Sequence, residues 1–225
     1  MTISATSAIA RPASLYRRLE FGVLFFVLPG LVALGLPAVP FWVALPLLGA
    51  LCTTALLMDP RFDRSVLWNR DGTKRGLIPV LGIWLFGVIV LSIMVRWLAP
   101  EKWLDFPTKA PGVWLTVMVA YPVLSVYLQN IIYRAFIFHR YRNVFRQPEQ
   151  MLWASALAFC FAHVIFHNWI ALTLTLAGGL LFARSYQKHR SLLLCSIEHA
   201  LYGCTLFTVG LGSYLFHGTH LPGTP

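Results

Sequence analysis

The apolar residues of this chain are gathered into long runs that short polar segments interrupt. A run of about 17 to 25 mostly apolar residues has the length that a helix needs to cross a bilayer. Prolines between and within the first two runs favour a tight helical hairpin there. The predicted spans are 21–39, 40–58, 76–98, 112–137, 151–167, 169–184 and 191–214. The pattern therefore predicts an all-α fold, a polytopic transmembrane helical bundle of about seven spans.

These spans divide the chain into four parts. We expect a cytoplasmic N-terminal segment at 1–19, N-terminal transmembrane helices and loops at 20–111, a helical core at 112–216 and a C-terminal tail at 217–225. A cleaved signal peptide is the competing interpretation of the first span, since Arg17 and Arg18 precede it. The apolar stretch is long and runs directly into a second span, which favours a membrane helix.

The composition agrees with a lipid environment. Of the 225 residues, 58% are hydrophobic and 12% are charged, whereas soluble domains carry roughly 25% charged residues. Most classes of soluble protein are thereby excluded. The four cysteines, Cys52, Cys160, Cys195 and Cys204, fall inside predicted spans without C-x-x-C spacing. They are typical of small core residues and not of a disulfide framework or a zinc site.

The net charge of +10 raises nucleic acid as a partner, but the distribution of the basic residues argues against it. Of the 18 lysines and arginines, 15 lie on one side of the predicted bundle and 3 on the other. The positive-inside rule interprets this asymmetry as a cytoplasmic N-terminus and a C-terminus outside. The basic excess is mainly a topology signal, so we expect membrane lipids and no nucleic acid among the partners.

Three polar clusters interrupt the second half of the chain, where ionisable groups inside spans indicate functional sites by default. The first cluster, residues 129–134, ends the fourth span and contains Gln129, Asn130, Tyr133 and Arg134. Asn130 and Arg134 are four residues apart and share a helix face. Arg134 taken alone also fits an arginine that extends its side chain to the membrane interface.

The second cluster contains two histidines of the fifth span. His163 and His167 are an i, i+4 pair, a spacing that puts two imidazoles on one helix face, where they approach a single ion or water. No glutamate lies between them, unlike in the zincins. His167 precedes Asn168 and is typical of an interfacial histidine bonded to the backbone, whereas His163 lies deeper.

The third cluster, Glu198 and His199, lies in the last span. Glu198 is the only carboxylate well inside any predicted span. An isolated buried carboxylate either takes up a proton or finds a cationic or hydrogen-bonding partner. A structural ion pair and a catalytic role therefore both stay open. His163, His167 and His199 are candidate ligands of a zinc ion, but no sequence feature supplies a closed ligand set.

Taken together, the clusters resemble the CPBP family, the CAAX protease and bacteriocin-processing intramembrane peptidases. That family carries Glu-Glu-x-x-x-Arg, Phe-x-x-x-His and His-x-x-x-Asn on successive helices, and the resemblance covers roughly residues 112–210. It matches Arg134 to the family arginine, Phe159 and His163 to the second motif, and His199 to the third. The resemblance implies that a glutamate and the second-motif histidine activate a water without a metal, while the third motif stabilises the oxyanion.

The chain departs from the family at three motif positions. Gln129 and Asn130 replace the two glutamates, and Gly203 replaces the asparagine. An amide cannot accept a proton as a general base. Losing a positioned base costs roughly 10²–10⁴-fold in rate, and losing an oxyanion donor costs about 10²–10³-fold. A member that lacks both is expected to be a poor peptidase.

Two functions follow from the resemblance. The first is an intramembrane peptidase or peptidase-like protein that cleaves or binds a membrane-associated polypeptide near the cytoplasmic leaflet, at the end of the fourth span where Arg134 lies. The alternative is a catalytically inactive relative that serves as a structural or interaction subunit of a membrane complex. The catalytic candidates are His163, His199 and Glu198, and the substrate-binding candidates are Arg134, Asn130, Gln129 and Tyr133.

A transporter or channel is a third class, because intramembrane histidine, glutamate and arginine also line ion pathways. The absence of recognisable repeats in the two halves argues against it. We therefore expect an integral membrane protein of a bacterial plasma membrane, with a membrane polypeptide as substrate or partner subunit.

Overall fold

The computed structural model describes residues 15–36 and 40–215, apart from the side chains of residues 41 and 42. Within this part all regular structure is helical, so the predicted all-α class is confirmed. Five of its helices are long and apolar enough to cross a membrane, and the count of about seven spans stays a prediction. Most of the predicted N-terminal segment 1–19 and the whole predicted tail 217–225 lie outside the described residues.

The described helices correspond in order to the seven predicted segments, with one short helix added in a connection. The first helix contains a π-helical turn at Val23–Val27, and the fifth contains two, at Pro122–Val126 and Ile131–Phe136. The helices are α1 (15–33), α2 (Phe41–Met58), α3 (Arg70–Leu98), α4 (Asp105–Lys109), α5 (Pro111–Arg140), α6 (Pro148–Ala162), α7 (Trp169–His189) and α8 (Leu192–Val209).

Polar capping residues decide where three of these helices begin. Side-chain oxygens of Asn69, Asn168 and Ser191 accept hydrogen bonds from backbone N–H groups in the first turns of α3, α7 and α8. Such caps satisfy donors that the first helical turn leaves free. The cap at Asn69 explains why α3 begins six residues before the predicted span 76–98.

Hydrogen bonds across the bundle define its two ends. At one end, Arg140 Nε of the last turn of α5 donates to Glu20 Oε1 of α1 at 2.6 Å, and Asn69 Nδ2 donates to the Arg190 carbonyl at 3.1 Å. This end, called the basic end, holds residues 15–20 and the connections 59–69, 141–147 and 190–191. The loops that the charge pattern assigns to one side of the membrane therefore meet at one end.

The opposite end holds the connections 99–110, 163–168 and 210–215. There Lys102 Nζ donates to the Tyr214 hydroxyl at 2.6 Å, and Asn168 Nδ2 donates to the Tyr214 carbonyl at 2.9 Å. Between the two ends, α6 packs on α7 through Gly179, where a Cβ would lie 3.1 Å from the Ala156 carbonyl oxygen. Small residues permit this close approach of helices in membranes.

Candidate functional site

A cavity of about 1150 Å³ lies among six helices, α1, α3, α5, α6, α7 and α8. Aliphatic and aromatic side chains make up most of its wall. Among the described residues no Asp, Glu, Lys or Arg lines it. The polar residues of the wall are Tyr121, Ser125, Gln129, His163, His167, Thr175, His199 and Tyr202. The cavity is therefore an apolar chamber with a neutral polar patch.

The cavity lies on the far side of the bundle from the basic loops. Its wall includes Val32 near the end of α1, His167 after α6, and Leu215 after α8, all at the end opposite the basic end. Arg134 is not part of the wall. The expectation that the site lies at the end of α5 where Arg134 lies is therefore corrected, because the helix ends that form the cavity belong to the other half of the bundle.

His163 faces the cavity with a defined tautomer. Its Nδ1 lies 2.7 Å from the Phe159 carbonyl oxygen, and since a carbonyl only accepts, Nδ1 carries the proton. In the neutral ring the other nitrogen, Nε2, is then an acceptor. The imidazole packs against the Phe159 ring at a centroid distance of 4.7 Å. His163 thus presents a lone pair at the edge of the wall.

His163 and His167 do not share a helix face, which corrects the i, i+4 prediction. The α-helix ends at Ala162, residues His163–Phe166 form a 3₁₀ turn, and His167 takes a left-handed backbone with φ of 53°. The chain turns here because Asn168 caps the next helix. Both histidines line the cavity, but from different backbone geometries.

His199 is paired with a residue that the sequence did not single out. Its Nε2 lies 3.2 Å from the Tyr121 hydroxyl, and its ring stacks on Phe182 at 4.5 Å and 20°. The other nitrogen, Nδ1, is buried without a hydrogen-bond partner. Gly203 makes room for this pair, since a Cβ there would overlap the Tyr121 ring and hydroxyl.

Gln129 completes the polar patch on α5. Its Nε2 donates to Ser125 Oγ at 2.7 Å, and its Oε1 is buried without a partner. The side chain is 6% exposed and lines the cavity. An amide at this place offers donors and an acceptor but no proton-accepting carboxylate.

Asn130 and Arg134 lie behind the cavity wall and are fully buried. Asn130 Nδ2 donates to Ser196 Oγ at 3.2 Å. Arg134 Nη2 donates to the Gly179 carbonyl at 3.3 Å, and its guanidinium lies 4.4 Å from the centroid of the Phe159 ring. These contacts tie α5 to α7 and α8, and they support the Phe159 ring that packs on His163.

Glu198 and Tyr133 also lie behind the wall. Glu198 is 2% exposed, and its Oε2 has no hydrogen-bond partner. The Arg134 guanidinium acts on this carboxylate electrostatically, without a hydrogen bond, and Ser185 Oγ is also buried without a partner. Tyr133 packs edge-on against Phe159 at 5.4 Å. Neither Glu198 nor Tyr133 lines the cavity.

The predicted site residues therefore separate into two sets. His163, His199 and Gln129 meet at the cavity, whereas Asn130, Tyr133, Arg134 and Glu198 form the packing behind it. Sequence reasoning missed Tyr121, which lies 78 residues before its partner His199. The one signal that pointed to it was the glycine at position 203, where the resembled motif has a side chain.

A metal centre is not assembled in the described part of the chain. No group of three or more His, Cys, Asp or Glu side chains there is close enough to hold an ion. His163 and His199 come near each other across Phe159, whose ring centroid is 4.7 Å from one imidazole and 5.3 Å from the other. The aromatic ring thus packs against both histidines.

Comparison with protein families gives one match. Residues 110–205 match the Rce1-like family, described as type II CAAX prenyl endopeptidase Rce1-like. This confirms the resemblance to CPBP peptidases, and the matched segment runs from α5 into α8 and contains every polar cluster. No curated protein and no solved structure matches the chain. Its apolar helices make the protein an integral membrane protein, and its second half is similar to Rce1-like endopeptidases.

Proposed function

We propose that this chain, whose residues 110–205 are similar to Rce1-like endopeptidases, binds a membrane-associated polypeptide in its cavity without glutamate-assisted hydrolysis. The observation that carries the proposal is the chemistry of the cavity wall. Three histidines, two tyrosines, a glutamine, a serine and a threonine line an otherwise apolar chamber, and no carboxylate of the described residues lines it. Such a wall recognises a ligand but lacks the base of the resembled mechanism.

The apolar part of the cavity supports a ligand that carries a lipid group. A volume of about 1150 Å³ exceeds the usual range for small-molecule sites, roughly 300–1,000 Å³. Lipid tails are already in an apolar medium, so moving a prenyl chain from the bilayer into the cavity gains little hydrophobic free energy. Selectivity must then come from packing and from the polar patch, which fixes the orientation of the attached polypeptide.

The loss of hydrolysis follows from where the remaining acids and amides lie. Gln129 faces the cavity but cannot act as a base, while Glu198 lies behind the wall beside Arg134 and Ser185. A carboxylate that does not reach the cavity cannot accept a proton from a water bound there. Glu198 is the acid whose charge would suit this role, but it lies behind the cavity wall.

We assign the cavity to the half of the bilayer away from the cytoplasm, in a bacterial plasma membrane. The positive-inside rule makes the basic end cytoplasmic, and the cavity wall reaches His167 and Leu215 at the opposite end. A ligand would then enter from the outer half of the membrane or laterally from lipid. Cysteine labelling from either side of a sealed vesicle tests this orientation.

The test of binding uses the purified full chain in lipid nanodiscs and a fluorescent farnesylated peptide, with the unfarnesylated peptide as control ligand. We expect saturable binding that Ala120→Trp weakens by filling the cavity, because Ala120 lines it. Val119→Trp is the matched variant, since Val119 is 66% exposed on the same helix, and it should leave binding unchanged. Equal binding of both peptides, or equal effects of both variants, would contradict the proposal.

A second function, slow hydrolysis with His163 as base, is favoured by one observation. The bond from Nδ1 to the Phe159 carbonyl holds the ring so that Nε2 is free to accept a proton. Mass spectrometry of the farnesylated peptide after long incubation separates the two functions. Cleavage that disappears in His163→Ala establishes the second function, whereas an intact peptide supports binding alone.

A further inference from the structure

We propose that Tyr121 donates the hydrogen bond by which the site holds a carbonyl group of its bound polypeptide, and that His199 and Gly203 position it. The inference rests on the proposed binding function. It assigns the contact between protein and ligand to a residue outside the three polar clusters. Tyr121 lines the cavity directly before the π-helical turn Pro122–Val126 of α5.

Gly203 fixes the place of the Tyr121 ring. Any Cβ at position 203 would overlap atoms of that ring and its hydroxyl. On its other side the ring packs edge-on against Phe207 at a centroid distance of 5.3 Å. The ring is thus held between α8 residues four positions apart, and the hydroxyl lies where a longer side chain at 203 would otherwise project. Glycine is required here for its lack of a Cβ and not for its backbone freedom.

The hydrogen bond between Tyr121 and His199 has two arrangements in the neutral ring. If the hydroxyl donates to Nε2, then Nδ1 must carry the proton. Nδ1 is buried without a partner, so this arrangement leaves an N–H donor unpaired in an apolar wall. An unsatisfied buried donor is destabilising, and orphaned N–H groups are rarer than under-used acceptors.

In the second arrangement, His199 Nε2–H donates to the Tyr121 oxygen. Nδ1 is then a bare acceptor, and the hydroxyl proton of Tyr121 is released from the pair. Since the pair lines the cavity, the free donor is available to a ligand, and a bound carbonyl satisfies it. We therefore assign this arrangement to the site. His199 acts by orienting the hydroxyl, and Tyr121 makes the contact.

Tyr202 provides the internal contrast. It also lines the cavity, but its hydroxyl donates to the Ile83 carbonyl at 3.2 Å, which joins α8 to α3. Its proton is already used within the fold. Of the two tyrosines in the wall, only Tyr121 has a hydroxyl whose proton no carbonyl of the described residues accepts.

The experiment measures the binding of a farnesylated peptide and of a series of its analogues to the protein in nanodiscs. In each analogue, one backbone amide near the farnesylated residue is replaced by a methylene amine. In the unaltered protein one replacement should weaken binding about 5- to 10-fold, the size of one net hydrogen bond. In Tyr121→Phe this loss should vanish, because the donor is gone. Tyr202→Phe is the matched control, and in this variant the amide replacement should still weaken binding.

An infrared measurement distinguishes a direct hydrogen bond from Tyr121 to the ligand from an indirect effect of Tyr121 on the structure. With ¹³C at the carbonyl of the amide concerned, its infrared stretch should shift to lower frequency on binding to the unaltered protein and to Tyr202→Phe. The shift should be absent in Tyr121→Phe and in Gly203→Ala, where the added methyl displaces the ring. A shift that persists in Tyr121→Phe, while the peptide still binds, overturns the assignment. No saturable binding by the unaltered protein overturns the proposed function, and this assignment with it.

Discussion

Two polar regions lie side by side in the second half of the bundle and differ in whether their residues line the cavity. The cavity face consists of four residues of the cavity wall, Tyr121, Gln129, His163 and His199. The buried layer consists of Asn130, Arg134 and Glu198, which bond or pack against other helices. Charge lies in the buried layer, while the groups on the cavity face can all be neutral.

The two regions alternate along the same helices. Gln129 and Asn130 are neighbours in sequence, as are Glu198 and His199, and each pair contributes one member to each region. Successive residues on a helix point about 100° apart, since a turn takes 3.6 residues. A polar residue next to a site residue is therefore no evidence for a shared role. We therefore expect substitutions in the buried layer to change stability and substitutions on the cavity face to change binding.

The largest effect is expected for Arg134→Met in the buried layer. The change removes the bond to the Gly179 carbonyl and the contact with Phe159, and it leaves Glu198 without its nearby cation. A hydrogen bond from a charged donor contributes about 1.5–3 kcal/mol, and a desolvated cation–π contact contributes about 2 kcal/mol. Thermal unfolding in detergent should show this loss. Arg134→Lys keeps the charge and should lose less unfolding free energy. A loss below about 1 kcal/mol in Arg134→Met would contradict the assignment of Arg134 to the buried layer.

A smaller effect should separate the neighbours Asn130 and Gln129. Asn130→Ala leaves the Ser196 hydroxyl without its donor and should lower the free energy of unfolding by about 1–3 kcal/mol. Gln129→Ala removes the bond to Ser125 Oγ together with a buried oxygen that has no partner; these effects oppose each other, so stability should change by less than about 1 kcal/mol. Denaturation of both variants under one condition measures the difference. Equal losses would show that the two residues belong to one layer.

His163→Ala tests the role of the cavity face. We expect a change in unfolding free energy within about 1 kcal/mol, because the half-buried ring gives up one hydrogen bond, to the Phe159 carbonyl. Binding of the farnesylated peptide should weaken about 5- to 10-fold through loss of an acceptor. Titration in nanodiscs measures it. Unchanged binding together with strong destabilisation would move His163 into the buried layer.

The smallest effect concerns a polar contact outside both regions. Partial burial alone would raise the pKa of Glu20, but hydrogen bonds from Arg140 and Tyr141 outweigh it and hold the pKa below its ordinary value of 4.5. A lowered folded pKa stabilises the fold above the unfolded pKa, and this contribution is lost as the pH falls through the folded value. Glu20→Gln should remove this loss below about pH 4.5, with less than about 1 kcal/mol at stake. Unfolding curves from pH 3 to 7 check it, and a variant with the same acid sensitivity would contradict the role of Glu20.

The helices of the fold could be predicted from the sequence because the apolar runs are long and most of the helix starts carry proline or a capping residue. The gathering of the basic loops at one end could be predicted for a similar reason, since it follows from alternating helix directions. The prediction that His163 and His167 share a helix face was wrong because the α-helix ends at Ala162 and Asn168 caps the next helix. Spacing arguments hold only while the helix continues.

The division into two regions could not be predicted. The helices α6 and α8 are apolar almost all round, so their sequence patterns do not reveal which face borders a cavity. The Tyr121 contact depends on a glycine 82 positions later in the sequence, and the π-helical turns of α5 shift the register of every residue beyond them. Only the packing of the bundle determines that Gln129 faces the chamber and Asn130 does not.

The most direct test of the account is a cleavage assay on the matched variants Gln129→Glu and Asn130→Glu in nanodiscs with the farnesylated peptide, followed by mass spectrometry. Gln129→Glu places a carboxylate on the cavity face with His163, so we expect it to cleave the peptide faster than the unaltered protein. Asn130→Glu buries a charge behind the wall and should unfold more easily without gaining activity. Cleavage by the unaltered protein as fast as by Gln129→Glu, or a gain in Asn130→Glu instead, would contradict the account.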